Sequence, residues 1–190
     1  LLTNDLIDLT QETPETLERV ARTPSAALGS VRKKASEEDC KKLINVFKEN
    51  DIRYFFYIGG NDTAETANIV DELARGEDYE FRVCHIPKTI DNDLRETDHC
   101  PGYGSAARFV ALALMGDNLD NTALKGVKID VIMGRHAGFL TGAAALARQN
   151  ETDGPHLIYL PEVAFDENRF ADDVAGCLDR LGRCVIAVSE

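Results

Sequence analysis

Two short stretches of this chain carry side chains whose types and spacing suit chemistry on phosphate. They are Gly59-Gly60-Asn61-Asp62-Thr63 and Pro87-Lys88-Thr89-Ile90-Asp91-Asn92-Asp93. Each follows an apolar run that reads as a buried strand, so each falls at the strand-to-loop end where an α/β sheet gathers its ligand groups. In the first, paired glycines let the backbone come close to an anion, and an amide, a carboxylate and a hydroxyl follow. In the second, a lysine precedes two carboxylates spaced two residues apart. The lysine suits phosphate charge, one carboxylate can take a proton from a hydroxyl, and the other can hold Mg²⁺. Together they read as a phosphoryl-transfer site.

Each motif has a plainer explanation. A glycine pair after a strand is common and needs only a tight turn into a helix. What raises it here is the Asn-Asp-Thr that follows, because a helix N-terminus adds backbone N–H groups and a positive dipole end. It is not a Walker loop, nor does it extend to the Gly-x-Gly-x-x-Gly of a dinucleotide fold. Asp91, Asn92 and Asp93 would suit a solvated turn, but such a turn has no need of Lys88 or of a strand in phase with it. Met133-Gly134-Arg135 ends a further expected strand. Arginine offers a planar fork of donors for phosphate oxygens, and Gly134 permits close backbone approach. Glu162 ends another, where it can accept hydrogen bonds from sugar hydroxyls or simply face solvent. Gly29-Ser30-Val31-Arg32-Lys33-Lys34 is a loop with a positive cluster. His136, Tyr103 and Ser105 are given no role.

These motifs need a scaffold that delivers strand ends to one edge. Residues 1–35 read as an irregular segment with one short helix, capped by Thr13 with Pro14 in its first turn. Residues 36–49 read as an amphipathic helix with Leu43, Ile44, Val46 and Phe47 on one side and a capping box from Ser36 and Asp39. Strands are then expected at 53–58, 81–86, 128–133, 156–160 and 184–189. Helices are expected at 62–75, 103–118, 137–150 and 168–181. This alternation implies an α/β fold: a mainly parallel, Rossmann-like sheet with helices on both faces. Residues 36–190 form the expected core, with the start of a second domain expected from about 125. Asn61, Asp62, Lys88, Asp91, Asp93 and Arg135 should converge at its carboxyl edge.

The chain's 190 residues are enough for a sizeable core, with 44% hydrophobic and 28% charged residues. A net charge of −12 argues against a nucleic-acid partner, because no basic field exists to attract a polyanion. No apolar stretch approaches the ~20 residues of a membrane span. The five cysteines have no metal-like spacing, and Cys84, Cys177 and Cys184 lie in apolar surroundings that suggest buried thiols. A reduced, cytoplasmic protein is expected. The chain opens on Leu1-Leu2 and closes on a strand that stops where a ligand loop would begin, which suggests a piece of a larger protein.

In their order and spacing, Gly-Gly-Asn-Asp-Thr, Pro-Lys-Thr-Ile-Asp-Asn-Asp, Met-Gly-Arg and Pro-Glu resemble the phosphofructokinase family over essentially the whole chain. Gly29-Ser30-Val31-Arg32 resembles that family's Gly-Ser-x-Arg phosphate loop. The ATP-dependent branch typically reads Gly-Gly-Asp-Gly-Ser and Pro-Gly-Thr-Ile-Asp-Asn-Asp. Here Asp62 and Lys88 replace the two distinguishing glycines, as in the pyrophosphate-dependent branch. The physics agrees: a carboxylate at 62 would repel a nucleotide's α-phosphate, and an ammonium at 88 would fill that room and bind pyrophosphate.

The resemblance implies transfer of a phosphoryl group from pyrophosphate to the 1-hydroxyl of fructose 6-phosphate, reversibly, with Mg²⁺ as cofactor. Asp91 would be the base, aided by Arg32 and Lys88, which would bind pyrophosphate. Gly60 and Asp62 would line the donor site. Thr89, Met133, Gly134, Arg135 and Glu162 would contact the substrate, and Asn61 and Asp93 would hold the metal. Asn61 departs from the family's usual Asp there and brings less charge. A homo-oligomer, dimer or tetramer, is expected. The family's N-terminal glycine-rich loop and the rest of its second half are missing, so this chain alone would be incomplete as a catalyst. The alternatives are an ATP-dependent phosphofructokinase, a non-catalytic regulatory subunit, and a Gly-Gly-Asp-type kinase of lipids or dinucleotides. The last would leave the second motif unexplained, and a regulatory subunit would be expected to lose the base that Asp91 supplies.

Overall fold

A computed structural model describes residues 1–24 and 26–190. The chain divides into two compact units, Leu1–Ile86 and Pro87–Glu190.

The first unit opens with a short 3₁₀ turn at Leu9–Gln11 and helix α1 (Pro14–Ala21), which Thr13 caps by accepting from the Thr16 amide. Helix α2 (Glu37–Glu49) has the expected capping box, with Asp39 in the place usually taken by Glu or Gln. The Ser36 hydroxyl accepts from Asp39 N–H and the Asp39 carboxylate accepts from Ser36 N–H, each at 3.1 Å. Lys33 stands 2.9 Å from the same carboxylate. With the Ser36 bonds it holds the Asp39 carboxyl down to about 2. Strand β1 (Tyr54–Gly59), helix α3 (Asn61–Gly76) and strand β2 (Arg82–Pro87) follow, with β1 and β2 paired in a two-stranded sheet. The core joins Cys40, Leu43, Ile44 and Phe47 of α2 to Val70 and Ala74 of α3 and to Phe81. Tyr54, Phe56 and Ile58 alternate outward and are exposed. Strand alternation also corrects one expectation: Cys84 shares the outward phase of β2 with Arg82 and Ile86 and is exposed.

The second unit is built on helix α4 (Tyr103–Leu124), strand β3 (Gly126–Ile132), helix α5 (Phe139–Ala143), strand β4 (Leu157–Tyr159), helix α6 (Glu167–Leu181) and strand β5 (Arg183–Ser189). The three strands are parallel in the order β3-β5-β4, with Ile129 opposite Ile186 and Ile158 opposite Ala187. Helices cover both faces of β5, as expected. Val185 and Ala187 pack with Leu114 of α4 and Leu140 of α5, while Cys184 and Ile186 pack with Cys177 of α6.

Two helices differ from expectation. α4 continues past Asn118 because that side chain turns into the interior, accepting from Gly154 N–H at 2.7 Å and from the buried Arg183 at 2.8 Å. The helix runs on to Leu124, where the side-chain amide of Asn121 donates to the carbonyls of Lys125 and Gly126 and ties down its C-terminal end. The expected helix at 137–150 is α5 followed by a 3₁₀ segment at Ala144–Ala147. The Asp153 carboxylate takes the amides of Gln149 and Asn150, which therefore cannot donate to a further helical turn. Among the described residues no helix is long and apolar enough to cross a membrane.

Candidate functional site

In the first unit the motif sits where β1 passes into α3. Gly59 must be glycine: a Cβ there would lie 2.1 Å from Thr63 Oγ1. Gly60 is the N-cap of α3 and makes no side-chain cap bond, so the first amides of a 16-residue helix are not capped by it. Such an end favours an anion. Asn61 and Asp62 are exposed in the first turn. The positive loop reaches this turn through Lys34, whose Nζ lies 3.6 Å from Asp62 Oδ1 and 2.7 Å from Glu65 Oε2. Glu65, and less strongly Asp62, keep the Lys34 ammonium charged above its usual range. Arg32 stands exposed in that loop. On the strand side, His85 of β2 is 2.9 Å from the Gly59 carbonyl and braces the turn.

In the second unit Thr89 organises the loop after β2. Its hydroxyl donates to Asp93 Oδ1 at 3.2 Å and accepts from Asp91 N–H at 3.2 Å. Asn92 adopts φ +59, a left-handed conformation that asparagine tolerates better than most residues. Its buried side chain accepts from Cys100 N–H at 2.8 Å and donates to the Asp98 carbonyl at 3.2 Å. Ile90 packs against the core around α4. The loop is thus pinned at its middle, which fixes the two acids on either side of Asn92.

Asp91 is the unusual member. Its Oδ1 is buried with no hydrogen-bond partner among the described residues. Burial pushes its carboxyl above the ordinary carboxylate range, and the negative charges of Asp93 and Glu190 push the same way. Lys88 and Arg135 pull against them. The structure therefore brings Lys88, Asp91, Asp93 and Arg135 into one electrostatic neighbourhood. A carboxylate with one oxygen buried and without a hydrogen bond is suited to accepting a proton.

Met133 and Arg135 are exposed on the turn after β3. Gly134 has φ +122, and a Cβ there would meet the Ala137 carbonyl at 2.5 Å, so only glycine fits. Glu162, after β4, reaches this turn: its Oε1 accepts from Gly138 N–H at 2.7 Å. Sequence reasoning missed Lys34, His85, Asn92 and Gly138. Asn92 carried a signal in the left-handed tolerance of asparagine, and Lys34 in the positive loop. The contacts of His85 and Gly138 depend on neighbours distant in sequence.

The family model for phosphofructokinase matches residues 1–190. Over 184 residues the chain is 59% identical to the pyrophosphate–fructose 6-phosphate 1-phosphotransferase of Rhodospirillum rubrum, covering 97% of this chain and 46% of that protein. It is 41% identical to the enzyme of the same name from Halomonas elongata, covering all of this chain and 47% of the relative. Among solved structures, the pyrophosphate-dependent phosphofructokinase of Nitrosospira multiformis superposes with a TM-score of 0.89 at 40% identity, covering 100% of this chain and 49% of that one. The chain thus spans about half the length of the relatives it matches.

Proposed function

This chain belongs to the phosphofructokinase family, and on that footing we propose that the whole protein transfers a phosphoryl group from pyrophosphate to the 1-hydroxyl of fructose 6-phosphate. The products are fructose 1,6-bisphosphate and phosphate, and the reaction runs in both directions. The observation that carries this reading is the Asp91 carboxyl: buried at Oδ1, unpartnered there, and set among Lys88, Arg135 and Asp93. Asp91 takes the proton of the 1-hydroxyl as the oxygen attacks. Lys88 and Arg32 bind pyrophosphate and offset charge on the transferring group. Thr89 orients Asp91 and Asp93 through its hydroxyl, while Met133, Gly134, Arg135 and Glu162 hold the sugar phosphate.

The oxygen donors fit Mg²⁺: the Asp93 carboxylate, two residues from the base Asp91, is a hard oxygen ligand of the kind that ion takes. Asp93 and Asn61 would hold the ion, which when bound neutralises charge on the phosphate oxygens. Donor choice rests on charge. Asp62 repels a nucleotide's α-phosphate, and Lys88 occupies the room it would need. The 59% and 41% identical relatives, both named for pyrophosphate, support this branch. The reading also places the protein in the cytoplasm as a homo-oligomer. The test is formation of fructose 1,6-bisphosphate by the full-length protein from fructose 6-phosphate, pyrophosphate and Mg²⁺. An absence of product under those conditions refutes the proposal.

A further inference from the structure

We propose that Gly138 is a positioning residue for the acceptor sugar, because its bare backbone sets where the Glu162 carboxylate stands. This rests on the reading above, in which Glu162 binds the sugar. Gly138 N–H donates to Glu162 Oε1 at 2.7 Å. A Cβ at residue 138 would lie 2.7 Å from Glu162 Oε2 and 3.0 Å from both Leu160 Cδ2 and Pro161 Cδ. Backbone freedom does not account for this glycine. Its φ of −82° and ψ of 17° are open to any residue. Gly134, only four residues away, differs: there φ is +122 and the obstacle is the Ala137 backbone. A side chain at 134 would disturb the turn itself, whereas one at 138 would displace the Glu162 side chain and the segment that carries it.

The contact has a consequence for specificity. Met133-Gly134-Arg135 and Glu162 come from the ends of different strands, β3 and β4, that are separated by β5 in the sheet. The Gly138 amide latches the second segment to the turn of the first. Committing one carboxylate oxygen to that amide fixes the direction in which the other is presented, so the sugar meets a preorganised acceptor.

The experiment is a double-mutant cycle in the full-length protein with Gly138→Ala, Glu162→Ala and the pair. Fructose 6-phosphate affinity is measured by calorimetry without a phosphoryl donor, alongside KM, kcat and thermal unfolding. Gly138→Ala should weaken fructose 6-phosphate about 10- to 100-fold, the range for a hydrogen bond to a charged group. The KM for pyrophosphate should hold within about twofold, and in the Glu162→Ala background Gly138→Ala should add less than about twofold. Glu162→Gln keeps an oxygen for the Gly138 amide and should weaken the sugar less than Glu162→Ala. Equal losses from Gly138→Ala in both backgrounds, or a large fall in unfolding temperature in both, would show a structural role and overturn the proposal. Normal affinity in Gly138→Ala beside a damaged Glu162→Ala overturns it too, while leaving the sugar-binding role of Glu162 standing. Normal affinity in Glu162→Ala removes Glu162 from sugar binding and this inference with it, while leaving the phosphotransfer reading intact.

Discussion

Replacing Asp91 by Asn isolates the proposed base, because almost nothing structural depends on its charge. Its backbone amide, not its side chain, bonds Thr89 Oγ1, and its Oδ1 has no partner to lose. Asn has nearly the same shape, and it relieves the cost of holding a charge away from water. The variant should therefore be at least as stable as the parent at neutral pH. Turnover should nevertheless fall about 10²–10⁴-fold, the usual contribution of a general base. At 1.36 kcal/mol per tenfold, that is about 3–5 kcal/mol of barrier. Fructose 6-phosphate affinity should change far less, since the interaction matters as the proton moves.

The pH profile supplies a second, independent reading of the same variant. The Asp91 pKa lies above the ordinary carboxylate range, chiefly through burial. Activity requires the deprotonated form, so kcat/KM should fall as pH drops through that raised value. The limb should vanish in Asp91→Asn, and should move to higher pH in Lys88→Met, which removes a charge that lowers the pKa. The assay is coupled detection of fructose 1,6-bisphosphate across pH, with denaturant unfolding of both variants. Near-normal turnover in Asp91→Asn, or an acid limb that survives it, refutes the assignment.

Asp62→Gly, alone or with Lys88→Gly, should raise the ratio of kcat/KM for ATP over pyrophosphate; loss of the Lys88 contact should cost pyrophosphate about 2–5 kcal/mol. Folding should hold, because the Lys34–Asp62 pair is 3.6 Å apart with side chains 56% and 78% exposed, a class that contributes at most about 1 kcal/mol. A fixed donor ratio with falling overall activity would deny these residues the choice of donor. A third expectation concerns Asp130 of β3, whose carboxyl is pushed up to about 6 by burial and by neighbouring Asp117. The folded state holds this proton more tightly than the unfolded chain, whose Asp titrates at about 3.9. Its stabilising contribution is therefore present below that pH and lost as pH rises through about 6, by an order of 1–3 kcal/mol. Asp130→Asn should flatten this part of the stability profile, and urea unfolding that shows the same pH slope in variant and parent contradicts it.

Much of the scaffold was legible because local rules decided it. Ser36 and Asp39 announce their helix by mutual capping, and Thr13-Pro14 does the same for α1. The strands were found to within about two residues from their Val, Ile and Phe runs. Where reading failed, the deciding partner was remote in sequence. Asn118 looked like a helix end, but Gly154 and Arg183 draw it inward and the helix runs on. Residues 148–150 looked helical, but Asp153 takes the amides of Gln149 and Asn150 and the helical run stops at Ala147. Cys84 looked buried by the apolarity of its run, although strand alternation turns it outward. At the site, residue types pointed to Lys88, Asp91, Asp93 and Arg135, which the structure sets in one electrostatic neighbourhood. The devices that hold such groups were harder to see. The Asn92 clamp, the Lys34 bridge and the Gly138 latch exist only once the chain has folded.

The claim at the centre of this account is that pyrophosphate, not a nucleotide, supplies the phosphoryl group. Its most direct test is kcat/KM for pyrophosphate and for ATP in the full-length protein, at saturating fructose 6-phosphate and Mg²⁺. The account predicts a preference for pyrophosphate of at least about 100-fold, as expected when one donor gains the Lys88 contact and the other meets the Asp62 charge. Equal use of the two donors, or a preference for ATP, would contradict it.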